Sequence, residues 1–588
     1  MGASGSGERK RLVARATELA QLHRVFLETR AEHGGRGRLV ILTGDVGVGK
    51  TALAEALLGA IADEDPRAIT LGVRCAKGHS QLRPYGPFRD LIAQLSGRTD
   101  DSVVGAALRK DVPGWLPNAA PSAGRNALFD QFLNLCRTLA RQRPLALLID
   151  DLQWGDRSSL DLLARLGTAL PALPVVVIGT YEATESEIAV SLKGVQQRVG
   201  PNGLEFGVRK LEPDAVIKMA EQVIDGSCSD ELGDWIVEAA QGSPLRAEQL
   251  LLWLAERKVI KKRLFKHTVR ESELPPKDRR TEDVMLGRID TQEPNLRWTL
   301  EAAAVAGPVI DSTVVASQAG KKQGEVHQQL ELATSLGILQ RVGERRWATG
   351  HRSYRYQFAH PLMRTVIGDR ATGKRREHLI GRAAGVLEKL GGPAVNEIAD
   401  EIATLYLSVD APAKVHEWSL KAADLCERLY ALYEIEDYLR SAVRTADVEL
   451  ERLQIENRLA AVYGATGREP EAEAILEKVY ERTVELNEKS LAVIAGTMVG
   501  WLRLERGVPP IEISAIAGSL VDAARTAELA AELVMALDLA TVVAERVGRA
   551  EEALLMAEEA LYVAEHSGSA EIVANAAYRL ARVHISWG

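Results

Sequence analysis

Residues Gly44-Asp45-Val46-Gly47-Val48-Gly49-Lys50-Thr51 place glycines, a lysine and a hydroxyl at the spacing G-x-x-x-x-G-K-[ST]. That combination handles phosphate. Glycines at 44, 47 and 49 let the backbone turn its N–H groups inward around an anion, with Asp45, Val46 and Val48 at the variable positions of the cradle. Lys50 is long enough to reach β- and γ-phosphates, and the Thr51 hydroxyl can ligate Mg2+, so a phosphate-bearing ligand with Mg2+ is expected. Such a loop also needs a carboxylate for the metal, delivered from the end of a neighbouring buried strand. "PLALLIDD" ends in Asp150-Asp151 and offers two. Asp150 would hold Mg2+ together with Thr51, and Asp151 would orient or deprotonate the attacking water. The alternatives are a plain glycine turn with an exposed lysine, and two carboxylates that only cap the following helix.

These groups converge only if the elements around them do. "RLVILT" before the loop is an apolar run of strand character, and a helical pattern opens at Thr51, aiming its positive end at the phosphate. The continuous apolar run ending at Asp150 has the form of a strand covered on both faces. "AITLGVRC" (68–75) and "PVVVIGTYEATE" (174–185) are further strand candidates, with helical stretches between. This alternation predicts a mostly parallel sheet with its ligand at the strands' C-terminal edge. We expect a flexible N-terminus over 1–10 and this P-loop domain over 11–210. A helical lid and linker hairpin should follow over 211–275.

The linker carries seven Lys/Arg between Arg257 and Arg270 with no acid among them. It reads as a solvated hairpin, the alternative being a patch for a phosphate backbone. Residues 276–373 read as helices plus the hairpin "GILQRVGERRWATGHRSYRYQFAH", like a winged helix used as a switch element. From 374 to 588 strand signals vanish and alanine-rich amphipathic helices take over. Gly467, Gly507 and Gly548 recur at spacings of 40 and 41, each followed five positions later by Ala472, Glu512 and Ala553. A tetratricopeptide-like α-solenoid with unusually long helices fits this period, with a groove for an activating ligand or protein. An irregular helical bundle is the alternative. The array stops at "ARVHISWG" without a polar capping repeat. We therefore expect either an output domain beyond it or association through its last helices.

Composition sets the outer bounds. At 588 residues, 46% hydrophobic and 26% charged, the chain needs several cores. Its fold class is multidomain, α/β followed by α. No apolar run approaches the ~20 residues of a membrane span, and the polar N-terminus has no secretory core, so a cytoplasmic location is expected. Cys75, Cys136, Cys228 and Cys426 are too scattered for a metal or disulfide framework. A net charge of -8 argues against a nucleic-acid-coating protein, and no sequence-specific DNA binding is expected from this chain.

The segments "LVARATELAQL", "GDVGVGKT", "RPYGPFRDLIAQL", "LLIDDLQWGDRSSLDLLARL", "VVVIGTYEATE", "AAQGSPLRAEQLL" and "YQFAHPLMRTVI" follow the order of motifs in STAND-class signalling ATPases. They are most similar to the branch of large ATP-binding LuxR-type transcription regulators and of ATPase modules attached to nucleotidyl cyclases and protein kinases. The resemblance implies a slow ATPase used as a switch: ADP holds a closed monomer, and exchange for ATP permits opening or homo-oligomerisation. It also implies that Arg15 sits near base and sugar, that Pro244 packs on adenine as the lid proline, and that His360 touches the ADP β-phosphate. The chain departs from the family pattern at Ala14, where glycine is usual. Glu182 stands where an arginine commonly senses the terminal phosphate, and Pro361 follows His360 in place of aspartate. A carboxylate at 182 implies weak hydrolysis or weak γ-phosphate sensing, and a capping histidine is the alternative role for His360. The DNA-binding output of the LuxR-type branch is not in this sequence. A cyclase- or kinase-linked sensor and a stand-alone ATP-dependent scaffold are the alternatives to a regulator.

Overall fold

The computed structural model describes residues 12–30, 35–78, 80–98, 101–116, 124–182, 187–263, 266–567 and 569–587. The expected flexible segment 1–10 and the end of the third strand candidate, residues 183–185, lie outside these. The chain divides into two compact units. One comprises residues 1–411 with 425–434, the other 412–424 with 435–588.

The first unit opens on a parallel sheet built from β1 (Arg38–Thr43), β2 (Ile69–Arg74), β3 (Leu145–Asp150), β4 (Val175–Tyr181) and β5 (Gly203–Gly207), in the order β2-β3-β4-β1-β5. β3 is buried along its whole length, as its unbroken apolar run requires when helices cover both faces. Leu53, Ala54, Leu57 and Ile61 of the helix Lys50–Glu64 are all 0% exposed and anchor it on the sheet. The strand order sets the site. β1, which delivers the glycine loop, and β3, which delivers Asp150, are separated by β4 alone, so the end of β4 lies between them. β5 was not among the expected strands. It is five residues long, bounded by glycines and mostly outside the core, so it offers no apolar run to read.

Helices Pro213–Ile224, Asp230–Ala240 and Pro244–Glu256 form a small apolar cluster around Leu232, Trp235, Ile236 and Leu250. The basic run forms a small sheet: β7 (Lys261–Arg263) and β8 (Lys266–Thr268) are antiparallel, and β8 also pairs with β6 (Ser227–Cys228). The residues joining β7 to β8, 264 and 265, lie outside the described residues. Beyond it, helices Thr281–Asp290, Pro294–Ala306, Ser312–Ala319 and Gln323–Ser335 accompany an antiparallel sheet. Its strands, β9 (Ile310–Asp311), β10 (Leu339–Arg346) and β11 (Arg352–Phe358), run in the order β10-β11-β9.

The first unit extends past the expected start of the helical array at 374, because the helices after it are buried against this unit. Leu379, Ile380, Ala383 and Ala384 of the helix Gly373–Gly391 are at most 1% exposed. An ionic cluster fixes the next helix. Arg89 Nη1 donates to Asp400 Oδ2 at 2.5 Å, Arg83 lies 3.7 Å from both Asp400 and Glu401, and Arg345 of β10 lies 3.2 Å from Glu401. Burial pushes the Glu401 carboxyl up, but Arg345, Arg83 and Arg355 outweigh it and hold it at about 2. Arg428 in turn makes a two-pronged pair with Glu397, at 2.6 and 2.5 Å.

The second unit takes in most of the helices Pro412–Arg428 and Leu432–Thr445 and continues as a run of paired helices: Glu449–Ala465, Glu469–Glu485, Lys489–Glu505, Pro510–Thr526, Ala530–Val547, Ala550–Ser567 and Ala570–Trp587. Each packs on the next. Gly467, Gly507 and Gly548 sit in the turns with φ of 75°, 82° and 88°, as a left-handed helix terminator requires. The position five residues past each glycine shifts by one in the middle repeat. The linker Gly507-Val508-Pro509 is a residue longer than its counterparts, so the fourth helical position is held by Ala472, Ile513 and Ala553, all at most 1% exposed. Glu512 faces outward instead.

Candidate functional site

The glycine loop is a cradle that other residues could not form. Gly44 has φ +148° and a Cβ there would lie 2.5 Å from Val208 O. Gly47 has φ +73° and its Cβ would lie 2.9 Å from Leu245 Cβ and 3.0 Å from Ser243 Oγ. Val48 is 1% exposed and pins the loop to the core, whereas Val46 is 51% exposed at its crown. Lys50 folds back into the loop, its ammonium donating to Gly44 O at 2.8 Å and Asp45 O at 3.0 Å. Burial lowers the Lys50 pKa. The carboxylates of Glu182, Asp151, Asp150 and Asp45 oppose that shift.

Asp150 is the hub. Thr51 Oγ1 donates to its two oxygens at 2.9 and 3.0 Å, and Thr180 Oγ1, from the end of β4, donates to Oδ1 at 2.6 Å. The same Thr180 hydroxyl accepts from the Asp151 backbone N–H at 2.8 Å. Asp151 adopts φ 58°, and Gln153 Nε2 donates to its Oδ1 at 3.1 Å. Burial, and then the charge of Asp150, push the Asp151 carboxyl up to about 6. Gln153 Oε1 also accepts from the Glu182 backbone N–H at 3.2 Å, so one side chain ties the segment after Asp151 to the segment after β4. Sequence reading missed Thr180, Gln153 and Arg74, which donates to Asp150. The signal for Thr180 was present in "VVVIGTY", a buried strand ending in a hydroxyl, by the same argument that found Asp150.

Two expected residues touch the cradle from outside it. Arg15 is 4% exposed and its Nη2 donates to Val48 O at 2.9 Å and to Arg209 O, while Nη1 pairs with Glu18 at 3.0 Å. It clamps the loop to the chain leaving β5. The preceding Ala14 has φ 54°, the left-handed region that glycine occupies without strain. Pro244 begins the helix Pro244–Glu256, and its Cγ lies 3.9 Å from where a Cβ on Gly49 would stand. On either side of it, Ser243 Oγ and Leu245 N–H donate to Gly47 O at 3.3 and 3.2 Å. The structure therefore brings the lid segment onto the loop. His360 precedes the helix Pro361–Gly368, where its Nδ1 accepts from the Leu362 N–H at 3.2 Å. From that helix Arg364 reaches Lys77 O at 2.9 Å, and the Lys77 ammonium stands 5.4 Å above the Trp154 ring, three residues past Asp151.

The oxygen donors suit magnesium. A hard, small cation takes one or two carboxylates, keeps several waters and relies on nucleotide phosphates for the rest. Thr51 and Asp150 could supply that partial set. Among the described residues there is no group of three or more His, Cys, Asp or Glu that would cage a metal by itself. All four cysteines are buried and free, and no described helix is long and apolar enough to cross a membrane.

Residues 11–178 match the family model for an AAA ATPase domain. That stretch carries the glycine loop, both aspartates and Arg15. No curated protein matches the chain. Among solved structures, a STAND protein with a tetratricopeptide repeat sensor from Pyrococcus horikoshii aligns over 98% of this chain and 80% of its own, at 14% identity and a TM-score of 0.46. The ORC1 protein of Aeropyrum pernix, in complex with DNA, aligns over 61% of this chain and 93% of its own, at 15% identity and a TM-score of 0.31. Aspartyl phosphate phosphatase F from Bacillus subtilis aligns over 45% and 68%, at 11% identity and a TM-score of 0.29.

Proposed function

We propose that this chain is a nucleotide-operated switch: an AAA-type ATPase core that binds ATP or ADP with Mg2+, turns over slowly, and passes its nucleotide state to the elements around it. The observation that carries the reading is the pair of hydrogen bonds from Ser243 and Leu245 to Gly47 O, 3.3 and 3.2 Å long. They join the lid to the peptide that must move when phosphate enters, so cradle and lid change together.

In this reading Gly44–Thr51 cradle the phosphates, and Lys50 leaves the loop's carbonyls to meet them. Thr51 and Asp150 would hold Mg2+, which when bound offsets charge on the phosphate oxygens. Asp151 positions the water or takes its proton, and its raised affinity for protons suits a base. Glu182 adds negative charge near Lys50 where a terminal-phosphate sensor would be positive, which favours slow turnover. Pro244 packs on adenine, Arg15 supports the cradle beside it, and His360 donates to the β-phosphate of ADP. The helices and sheet over 276–373 act as a winged-helix switch, and the tetratricopeptide-like array receives the activating ligand or protein. ATP-bound copies associate. The motif order supports the regulatory part of a LuxR-type regulator.

The test is the purified protein's nucleotide content, phosphate release and calorimetric binding. Wild type should carry ADP and hydrolyse ATP far below the ~10 per second of an ordinary enzyme. Lys50→Ala should lose nucleotide binding, Asp151→Asn should bind ATP and stop hydrolysis, and His360→Asn, which keeps a cap for Leu362, should release ADP faster. Equal ADP or ATP affinity in wild type and Lys50→Ala would sink the assignment of the loop.

A further inference from the structure

Parallel pairing sets Arg74, the last residue of β2, directly across from Asp150, the last residue of β3. Arg74 Nε donates to Asp150 Oδ2 at 2.6 Å, with side chains 16% and 2% exposed. The far side of the guanidinium, Nη2, lies 4.0 Å from Glu55 Oε1 on the helix after the glycine loop. With Thr51 and Thr180 also donating, three groups occupy a carboxylate that offers about four lone-pair directions. A guanidinium cannot lose its proton, so this is a fixed positive charge in the place where the loop's metal carboxylate works.

We propose that Arg74 is a positioning residue that neutralises Asp150 in the nucleotide-free protein, so that the site takes a divalent cation only together with the phosphates of a nucleotide. The inference rests on the magnesium-nucleotide reading given above. Without Arg74, Asp150 loses its paired charge while Asp151 stays beside it, and an unpaired carboxylate next to the Thr51 hydroxyl attracts a hard cation more strongly. With it, an entering cation meets a like charge held at hydrogen-bond distance from the oxygen it needs, in surroundings where charge is poorly screened. Nucleotide phosphates bring enough negative charge to reverse that balance. The carboxylate also stays in one orientation, shared between Thr51, Thr180 and Arg74, until the metal arrives.

The experiment is Mn2+ binding to the nucleotide-free full chain, read by electron paramagnetic resonance, with calorimetry of ADP-Mg2+ in parallel. Wild type should show no submillimolar Mn2+ site, whereas Arg74→Gln should gain one at least about ten-fold tighter. The added mutation Asp150→Asn should remove it, and Arg74→Lys, which keeps the charge, should behave as wild type. Normal ADP binding with no gain of Mn2+ affinity in Arg74→Gln overturns the role of Arg74 and leaves the nucleotide reading intact. Failure of ADP to bind wild type overturns that reading itself. Should Arg74→Gln not fold, wild type and Arg74→Lys decide. Submillimolar Mn2+ on either, lost on Asp150→Asn, refutes the proposal; Mn2+ bound by both only once ADP is added supports it.

Discussion

At Ala14 an L-residue holds φ 54°, a conformation that costs roughly 1 kcal/mol outside glycine, next to the Arg15 clamp. Ala14→Gly removes the strain at a modest entropic cost, and the melting temperature should rise by an amount equivalent to under about 1 kcal/mol. A lower melting temperature would mean that the Ala14 methyl is contributing contacts instead. Glu434 behaves differently. Its carboxyl accepts from the Ser158 hydroxyl at 2.5 Å and from the Ser158 N–H at 3.3 Å. Burial, and then the charge of Asp156, push it from the ordinary 4.5 up to about 8. A carboxyl raised on folding stabilises the native state fully below its unfolded value, and that contribution is lost as pH rises through the folded one. Stability should therefore fall by on the order of 1 kcal/mol per pH unit between about pH 5 and 8. Glu434→Gln, neutral throughout, should flatten that slope in denaturant titrations across the window; an unchanged slope would mean the proton sits elsewhere.

Among the elements, the helix Ala399–Tyr406 is held by charge as much as by apolar contact. Asp400 is 0% exposed and faces Arg89 at 2.5 Å and Arg83 at 3.7 Å. Replacing one member of a buried pair leaves the other without its counter-charge, which typically costs 3–5 kcal/mol, so Asp400→Ala should cost about that much in chemical denaturation of the first unit. A loss below about 1 kcal/mol would mean that water or Glu401 compensates the two arginines. The lid contact is of another kind: two hydrogen bonds to Gly47 O, each worth about 1 kcal/mol, are weak enough that nucleotide binding would rearrange them in the proposed switch.

For the whole molecule, the position of the boundary between the two units predicts which truncations fold. A chain ending at 373 loses the helix Gly373–Gly391, whose Leu379, Ile380, Ala383 and Ala384 are at most 1% exposed, and it loses Asp400 as well. It should not unfold cooperatively. A chain ending at 445 keeps every residue of the first unit and should bind nucleotide like the full chain, since the remaining helices pack mainly on their neighbours. Circular dichroism melts and ADP calorimetry on the two truncations check this. Loss of nucleotide binding in the longer one would make the helical array part of the binding fold.

What the sequence determined is whatever rests on local periodicity and fixed spacing. The glycine loop, the buried strand ending at Asp150-Asp151 and the helix pairs with their glycine turns are legible because each needs only its own neighbours along the chain. The slip from Glu512 to Ile513 marks the limit of that reading, since one extra linker residue changes which side chain turns inward without disturbing the period. Tertiary structure alone decided the rest. β5 has too little apolar content to announce itself and exists by pairing with β1. Arg74 reaches Asp150 only through the register of β2 with β3, Thr180 only because β4 runs between β1 and β3, and the lid meets Gly47 O across 196 residues of chain. The helices after 374 look like the start of the array in sequence. They belong to the first unit because their apolar faces and Asp400 find complementary surface and charge there, which no period along the chain encodes.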